Sequence, residues 1–420
     1  SLPFGPIGPA DLPHAYPDGA IWPAELQRPE AFTREGRIRN FDSFPEFADG
    51  DFFSLKDLNH GERRIVDGVD AIDAYSVSPT LRHLCEIYKL WIAYADVDGY
   101  RLDTVKHMDP GAARFFASVI HEFAETLGKE NFYIIGEITG GREFAYDRLE
   151  VTGLDAALGI SDERTRMTAL VKGEIDPTEY FDLFRNSMLV RKDFHVWSRD
   201  KIVTSVDDHD HVDQGEHKHR FCADGFDKLA LAVMAFNATT LGIPCVYYGT
   251  EQLFDGEGTG SWADRYIREA MFGGEFGPFR SRGHHCFNED QPVYRGLARI
   301  HRLRQQELPL RRGRQFLRPI SGNGADFGFP ARIGASPLRS IVAWSRIFND
   351  RELLAAINTD PEAASTAFVT IDDGLHAAGS RLTCLYSTDA SKIGGSVAVE
   401  PRNGKSVFLR VPAAGFVVYA

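Results

Sequence analysis

The chain has 420 residues and a formal charge of −13, from 47 Lys and Arg against 60 Asp and Glu. That acidic balance argues against a general nucleic-acid binder, because no surplus of cations exists to displace phosphate counterions. Aromatics at 12% with recurring apolar blocks exclude disorder as the main state, and no run of 18 apolar residues reaches the length of a membrane-spanning helix.

Residues 1–72 read as irregular, with many Pro and Gly and few periodic runs. Ser78-Pro79 then opens a helix, with Ser at the cap and Pro in the first turn; Leu81, Leu84, Ile87, Tyr88, Trp91, Ile92 and Ala95 recur at helical spacing. Gly99 to Asp103 reads as a short buried strand. Asp109-Pro110 opens a second helix, stopped at Gly128, and Phe132 to Gly136 is an apolar strand with Glu137 at its end. Leu154 to Leu158 is a further strand, and Asp176-Pro177 starts a helix carrying Phe181, Phe184 and Met188. Ile202 to Val206 is a strand running into Asp207-Asp208-His209-Asp210. A helix over 227–240, a strand over 244–248 and an amphipathic helix over 293–306 follow. Strands alternating with helices predict parallel βα units, and polar residues just past such strand ends are where barrels place chemistry. From Leu338 onward the period becomes two, predicting an antiparallel β-sandwich. The domain reading is 1–72 irregular, 73–312 barrel, and 313–420 β-sandwich. Five scattered cysteines without a CxxC pair predict reduced structural thiols.

Asp103, Glu137 and Asp210 stand at the ends of three predicted strands. A carboxylate buried there without a partner is costly, so its presence calls for a role. Two carboxylates flanking one bond are what glycoside hydrolysis requires: one protonates the leaving oxygen, the other attacks or activates water.

The strings around these acids resemble the alpha-amylase family, glycoside hydrolase family 13. Asp98-Gly99-Tyr100-Arg101-Leu102-Asp103-Thr104-Val105-Lys106-His107 is similar to its second conserved region, Ile135-Gly136-Glu137 to its third, and Val206-Asp207-Asp208-His209-Asp210 to its fourth. The stretch from Gly242 to Gln252 resembles the last barrel strand and its loop. The resemblance implies a (β/α)8 TIM barrel with a C-terminal β domain, of which the strands here correspond to the fourth through the eighth. It implies Asp103 as nucleophile, Glu137 as general acid/base with a raised pKa, and Asp210 as the acid that holds sugar hydroxyls. Arg101 would keep Asp103 ionised, His209 would bond the sugar at the cleaved position, and Lys106 with His107 would line the leaving-group side. Retention of configuration would set the Asp103 and Glu137 carboxyls about 5–5.5 Å apart. The family usually has Asn where this chain has Asp208.

Nothing in residues 1–97 resembles the family's first conserved region. Residues 1–72 resemble the irregular domain inserted after the third strand. The expectation is therefore the C-terminal part of a longer enzyme, with a second fragment or further polypeptide supplying the remaining strands. The implied substrate is an α-1,4-glucan or maltooligosaccharide. Transfer to another sugar, isomerisation, and a non-catalytic carbohydrate-binding role are the rival readings. The chemistry needs no cofactor, and the resemblance allows a structural calcium bound through oxygen ligands.

Other signals read as bland. His211, His217 and His219 near His209, and the pair His284-His285, read as loop histidines and not as a transition-metal site. Asp255 to Ser261 is Gly-rich without the Lys-Ser/Thr ending of a phosphate loop, and reads as a flexible active-site loop. Trp262 and Phe287 either stack on sugar or pack beneath that loop. Asn237-Ala238-Thr239 is a sequon inside a predicted buried helix, and no Gly-x-Ser-x-Gly elbow occurs.

Overall fold

Capping and apolar periodicity place the first long helix where the sequence expects it. In the computed structural model, which describes residues 24–52, 55–67, 69–187, 192–272 and 286–420, Ser78 Oγ accepts the Leu81 N–H at 3.1 Å and helix Pro79–Ala95 follows. Asp109 caps helix Pro110–Thr126 in the same way, taking the Gly111 N–H at 2.8 Å. Residues 24–77 form short turns and two small ribbons: β1 (Gly61–Glu62) pairs with β4 (Ser76–Val77), and β2 (Ile65–Val66) with β3 (Val69–Asp70).

The chain divides at Ile160/Ser161 into two compact units. The first unit holds a parallel sheet in the order β5 (Gly99–Leu102), β6 (Tyr133–Gly140), β7 (Ala156–Ile160). Arg101 lies opposite Ile135 in its register, and pairing between β6 and β7 becomes irregular from Glu137 to Gly140. Glu137 therefore sits inside β6 and not past its end as the sequence reading had it. The extra residues to Gly140 continue the strand beyond the apolar run that marked it.

In the second unit β8 (Val203–Ser205) pairs in parallel with β10 (Ile243–Cys245). Asn237, on helix Ala230–Thr239, ties the two strands together: its amide donates to Thr204 O at 3.2 Å and Cys245 O at 3.3 Å. The sequon asparagine is thus a buried cross-brace. Between these strands runs β9 (His217–His219), paired antiparallel with β11 (Glu257–Thr259). The stretch read as a loose polar loop is one strand of a ribbon, and the Gly-rich stretch supplies the other. Its glycines serve close approach, since a Cβ at Gly258 would stand 1.9 Å from the Tyr266 ring.

Nine antiparallel strands form the C-terminal sheet: β12 (Arg314–Arg318), β13 (Ile320–Ser321), β14 (Ile341–Phe348), β15 (Arg351–Asn358), β16 (Ser365–Thr370), β17 (Arg381–Ser387), β18 (Ser396–Glu400), β19 (Ser406–Val411) and β20 (Phe416–Tyr419). One apolar face closes on itself, burying Ala343, Leu354, Val369, Val407, Leu409 and Val417 as the core of a sandwich. The other face packs Trp344, Leu353, Ile357 and Phe416 against Val233, Phe236 and Ile300 of the helices. That shared core joins part of the region read as barrel (73–312) to the β domain and explains why the chain divides at Ile160/Ser161. All five cysteines are free.

Several elements escaped the sequence reading. Helices Arg142–Thr152, Ser161–Lys172 and Phe194–Lys201 carry charged residues between their few buried apolar ones, so no clear stripe marks them. The helix begun at Pro177 closes after Phe181 into a 3-10 turn. Met188 lies outside the described residues, as do His284 and His285.

Trp344 anchors the helix-facing core. It is fully buried, edge-on to Phe236 at 4.8 Å and stacked with Phe416 at 6.2 Å. Trp344→Ala should cost about 3–5 kcal/mol in denaturant unfolding; a loss below about 1 kcal/mol would mean the two layers do not share this core.

Candidate active site

A turn in a disfavoured conformation builds the site of the first unit. β5 ends at Leu102, Asp103 follows, and Thr104 takes the left-handed region at φ +50° before the 3-10 turn Val105–His107. A β-branched residue adopts that region at a cost. The turn brings the Thr104 N–H to Glu137 Oε2 at 2.9 Å. Arg101 completes the cluster, with Nη1 paired to Asp103 Oδ1 and Nη2 3.2 Å from Glu137 Oε1.

One guanidinium therefore holds two carboxylates in different surroundings. The Asp103 side chain is 66% exposed and that of Glu137 only 12%. Burial pushes the Glu137 pKa above the ordinary carboxylate value; the negative charge and hydrogen bond of Asp103 add to the rise, and Thr104 N–H and Arg101 oppose it. Asp103 thus lies near enough to Glu137 for its charge to raise the Glu137 pKa. Arg101 draws them together by presenting one nitrogen to each.

Lys106 and His107 turn toward the preceding segment. Lys106 Nζ bonds Asp42 Oδ1 at 2.7 Å and holds that carboxyl below its usual range. His107 Nδ1 lies 2.9 Å from Phe47 O, and its ring meets Phe41 and Phe52 edge-on at 5.7 and 5.2 Å. Burial lowers its pKa, which favours the neutral ring donating to that carbonyl. Both residues thus fasten the turn after β5 to residues 41–52.

In the second unit the strand-end string after β8 forms a turn closed by its own side chains. Asp208 Oδ1 accepts the Asp210 N–H at 2.7 Å and also the His211 N–H. The Asp208 N–H donates to His211 Nε2 at 3.1 Å, and burial pushes the His211 pKa down to about 2, so the ring is neutral and can accept. Asp207 is buried beneath, taking the Phe221 N–H and the Thr250 hydroxyl at 2.8 Å each. Asp210 itself faces two cations. Lys218 Nζ is 3.3 Å from Asp210 Oδ1 and also bonds its carbonyl, and Arg268 Nη2 is 3.9 Å away. Arg268 Nε also donates to His209 O at 2.7 Å.

The sequence reading did not find Thr104, Lys218, Arg268 or Arg164. Arg164, from helix Ser161–Lys172, pairs with both Asp208 and Asp213. The first works through its backbone, and the others reach the turn from distant elements. Trp262 is 74% exposed, whereas Phe287 packs edge-on to Tyr294 at 5.5 Å.

Among the described residues no group of three or more His, Cys, Asp or Glu is arranged to hold a metal ion. His217 Nε2 instead pairs with Glu257 at 2.6 Å.

The shared guanidinium makes a two-sided prediction. By carbon-13 NMR, Glu137 should titrate above ordinary glutamates. Arg101→Leu should raise its midpoint further and Asp103→Asn should lower it, because the first removes an opposing cation and the second a reinforcing anion. Shifts of the opposite sign would break the cluster as described.

No family model matches the chain. It is 25% identical over 392 residues to an alpha-amylase of Streptomyces lividans, covering 88% of this chain and 37% of that protein. It is 25% identical over 274 residues to a cyclomaltodextrin glucanotransferase of Klebsiella oxytoca, covering 58% and 38%. The chain thus spans less than two-fifths of the length of these curated relatives. Among solved structures, an Anoxybacillus alpha-amylase superposes with a TM-score of 0.64 at 19% identity, over all of this chain and 73% of that one. A gamma-cyclodextrin glucanotransferase from alkalophilic Bacillus clarkii gives 0.64 at 21%, over 93% and 47%. These likenesses assign the fold, a TIM barrel of which five parallel strands are described here, followed by the C-terminal β domain. The ordered strings around Asp103, Glu137 and Asp210 and these relatives make the chain similar to alpha-amylases and cyclomaltodextrin glucanotransferases, and the solved structures show that it shares their fold.

Proposed function

We propose that this protein is a retaining glycoside hydrolase that cleaves α-1,4-glucosidic bonds in α-glucans or maltooligosaccharides. The observation that carries the reading is the division of labour between two neighbouring carboxyls. Arg101 pairs with the exposed Asp103, while burial raises the pKa of Glu137. Environments that separate two carboxyls in this way assign one as nucleophile and the other as acid.

Asp103 attacks the anomeric carbon while Glu137 protonates the departing glycosidic oxygen. Glu137 then removes a proton from the incoming water, which releases the sugar from Asp103 and returns both groups to their starting states. Asp210 and His209 bind sugar hydroxyls, with Lys218 and Arg268 facing the Asp210 carboxylate. Lys106 and His107 support the turn after β5 on the leaving-group side.

A second reading differs only in the acceptor. Cyclomaltodextrin glucanotransferases among the relatives favour it: a sugar hydroxyl in place of water gives transfer through the same intermediate. We also propose that activity needs further barrel strands, from additional polypeptide or a second fragment. Five parallel strands are found among the described residues, and eight close such a barrel without unpaired edges.

On maltoheptaose with the full-length polypeptide, the first product should carry the α-anomeric configuration; a β-anomer would overturn retention. Glu137→Gln should lower kcat by roughly 10²–10⁴-fold. Asp103→Ala should lower it by orders of magnitude, and a mild effect would place the nucleophile elsewhere. The ratio of hydrolysed to transferred product decides between the two acceptors.

A further inference from the structure

We propose that Arg164 is a positioning residue for the carboxylate of Asp210, acting through Asp208. The proposal deepens the functional reading above, since it concerns the acid assigned to sugar binding.

The connection runs through contacts that all lie within the second unit. Arg164 pairs with Asp208 Oδ2 and with Asp213 Oδ1. The other oxygen of Asp208 accepts the backbone N–H groups of Asp210 and His211. The Asp208 N–H closes the turn on His211 Nε2. Asp208 thus spends one oxygen on the cation and the other on the amides that set the direction of the Asp210 side chain.

Burial makes this arrangement consequential. The Arg164 side chain is 11% exposed, against 27% for Asp208 and 24% for Asp213. A guanidinium so enclosed needs its carboxylates, and breaking one partner leaves a buried charge unpaired. Burial lowers its pKa to about 10, so it stays charged at neutral pH. Thr165 Oγ1 donates to Asp213 Oδ2 at 3.0 Å, which fixes the second carboxylate. With Asp213 anchored and Asp208 clamped, the turn is pulled toward the start of helix Ser161–Lys172.

The chemistry also says what an amide at 208 would do. An Asn carries one acceptor and one donor group, so it can serve Arg164 or the two backbone N–H groups, not both. Opposite Arg164 it leaves donor facing donor. Opposite a glutamine the conflict disappears, because the glutamine oxygen accepts the Asn amide while the Asn oxygen keeps the turn.

The test uses Arg164→Gln, Asp208→Asn and the double variant in the full-length polypeptide, with two readouts. The first is amide hydrogen exchange at Asp210 and His211, which needs no activity. Each single variant should lose protection there while the rest of the unit keeps it, and the double variant should regain most of it. The second is turnover of maltoheptaose. Each single variant should lose kcat by about 10–100-fold, and the double variant should recover most of the loss.

Unchanged protection in Arg164→Gln overturns the proposal, as does a double variant no better than the singles in both readouts. If Arg164→Gln does not fold, Asp208→Asn decides alone, and wild-type protection in it overturns the proposal. Should the wild-type protein show no glucan turnover, the functional reading fails while the exchange pattern still tests Arg164.

Discussion

The Arg101 guanidinium is the constraint around which the first unit's chemistry is arranged. It presents one nitrogen to Asp103 and another to Glu137. Without it, two neighbouring carboxyls, one largely buried, would repel and force a proton onto the pair. With it, Asp103 has a counterion, and the burial of Glu137 can raise that group's pKa separately. Everything nearby supports this placement. Parallel pairing of β5 and β6 fixes Arg101 beside Ile135, two residues from Glu137. The strained Thr104 supplies an N–H that stops Glu137 from turning away.

Both units solve a similar problem with different means. In the first, a buried carboxyl is steadied by a backbone N–H from a left-handed residue. In the second, an aspartate uses its own side chain to bind the backbone ahead of it, and a buried arginine holds that aspartate. A carboxylate that must meet substrate has to keep at least one oxygen accessible, so its orientation has to come from its backbone and neighbours. Asp208 and Thr104 carry that duty, and neither belongs to the acids that the motifs mark.

The C-terminal sheet contributes through packing. Its helix-facing side shares a core with helix Ala230–Thr239, whose Asn237 braces β8 and β10. The strand ending at Ser205, from which the Asp207–Asp210 string departs, is therefore held by the same core that holds Trp344. The β domain in this way stiffens the base of the turn that bears Asp210.

Sequence alone determined the order of the chemistry. The four strings, the alternation of strand and helix, the caps at Ser78 and Asp109, and the change to a period of two near Leu338 are local patterns, set by side-chain spacing and backbone preference. It also marked Asp103, Glu137 and Asp210 as the acids to explain. It misread the extent of β6, the ribbon of β9 with β11, and the helices with weak apolar stripes, because pairing partners and burial in those segments come from residues far along the chain. Only the tertiary structure decided that Arg101 is shared, that Lys106 and His107 brace residues 41–52, and that Arg164 reaches Asp208 across 44 positions. A charge pairs with whatever lies near it in space, and no local spacing encodes that neighbour.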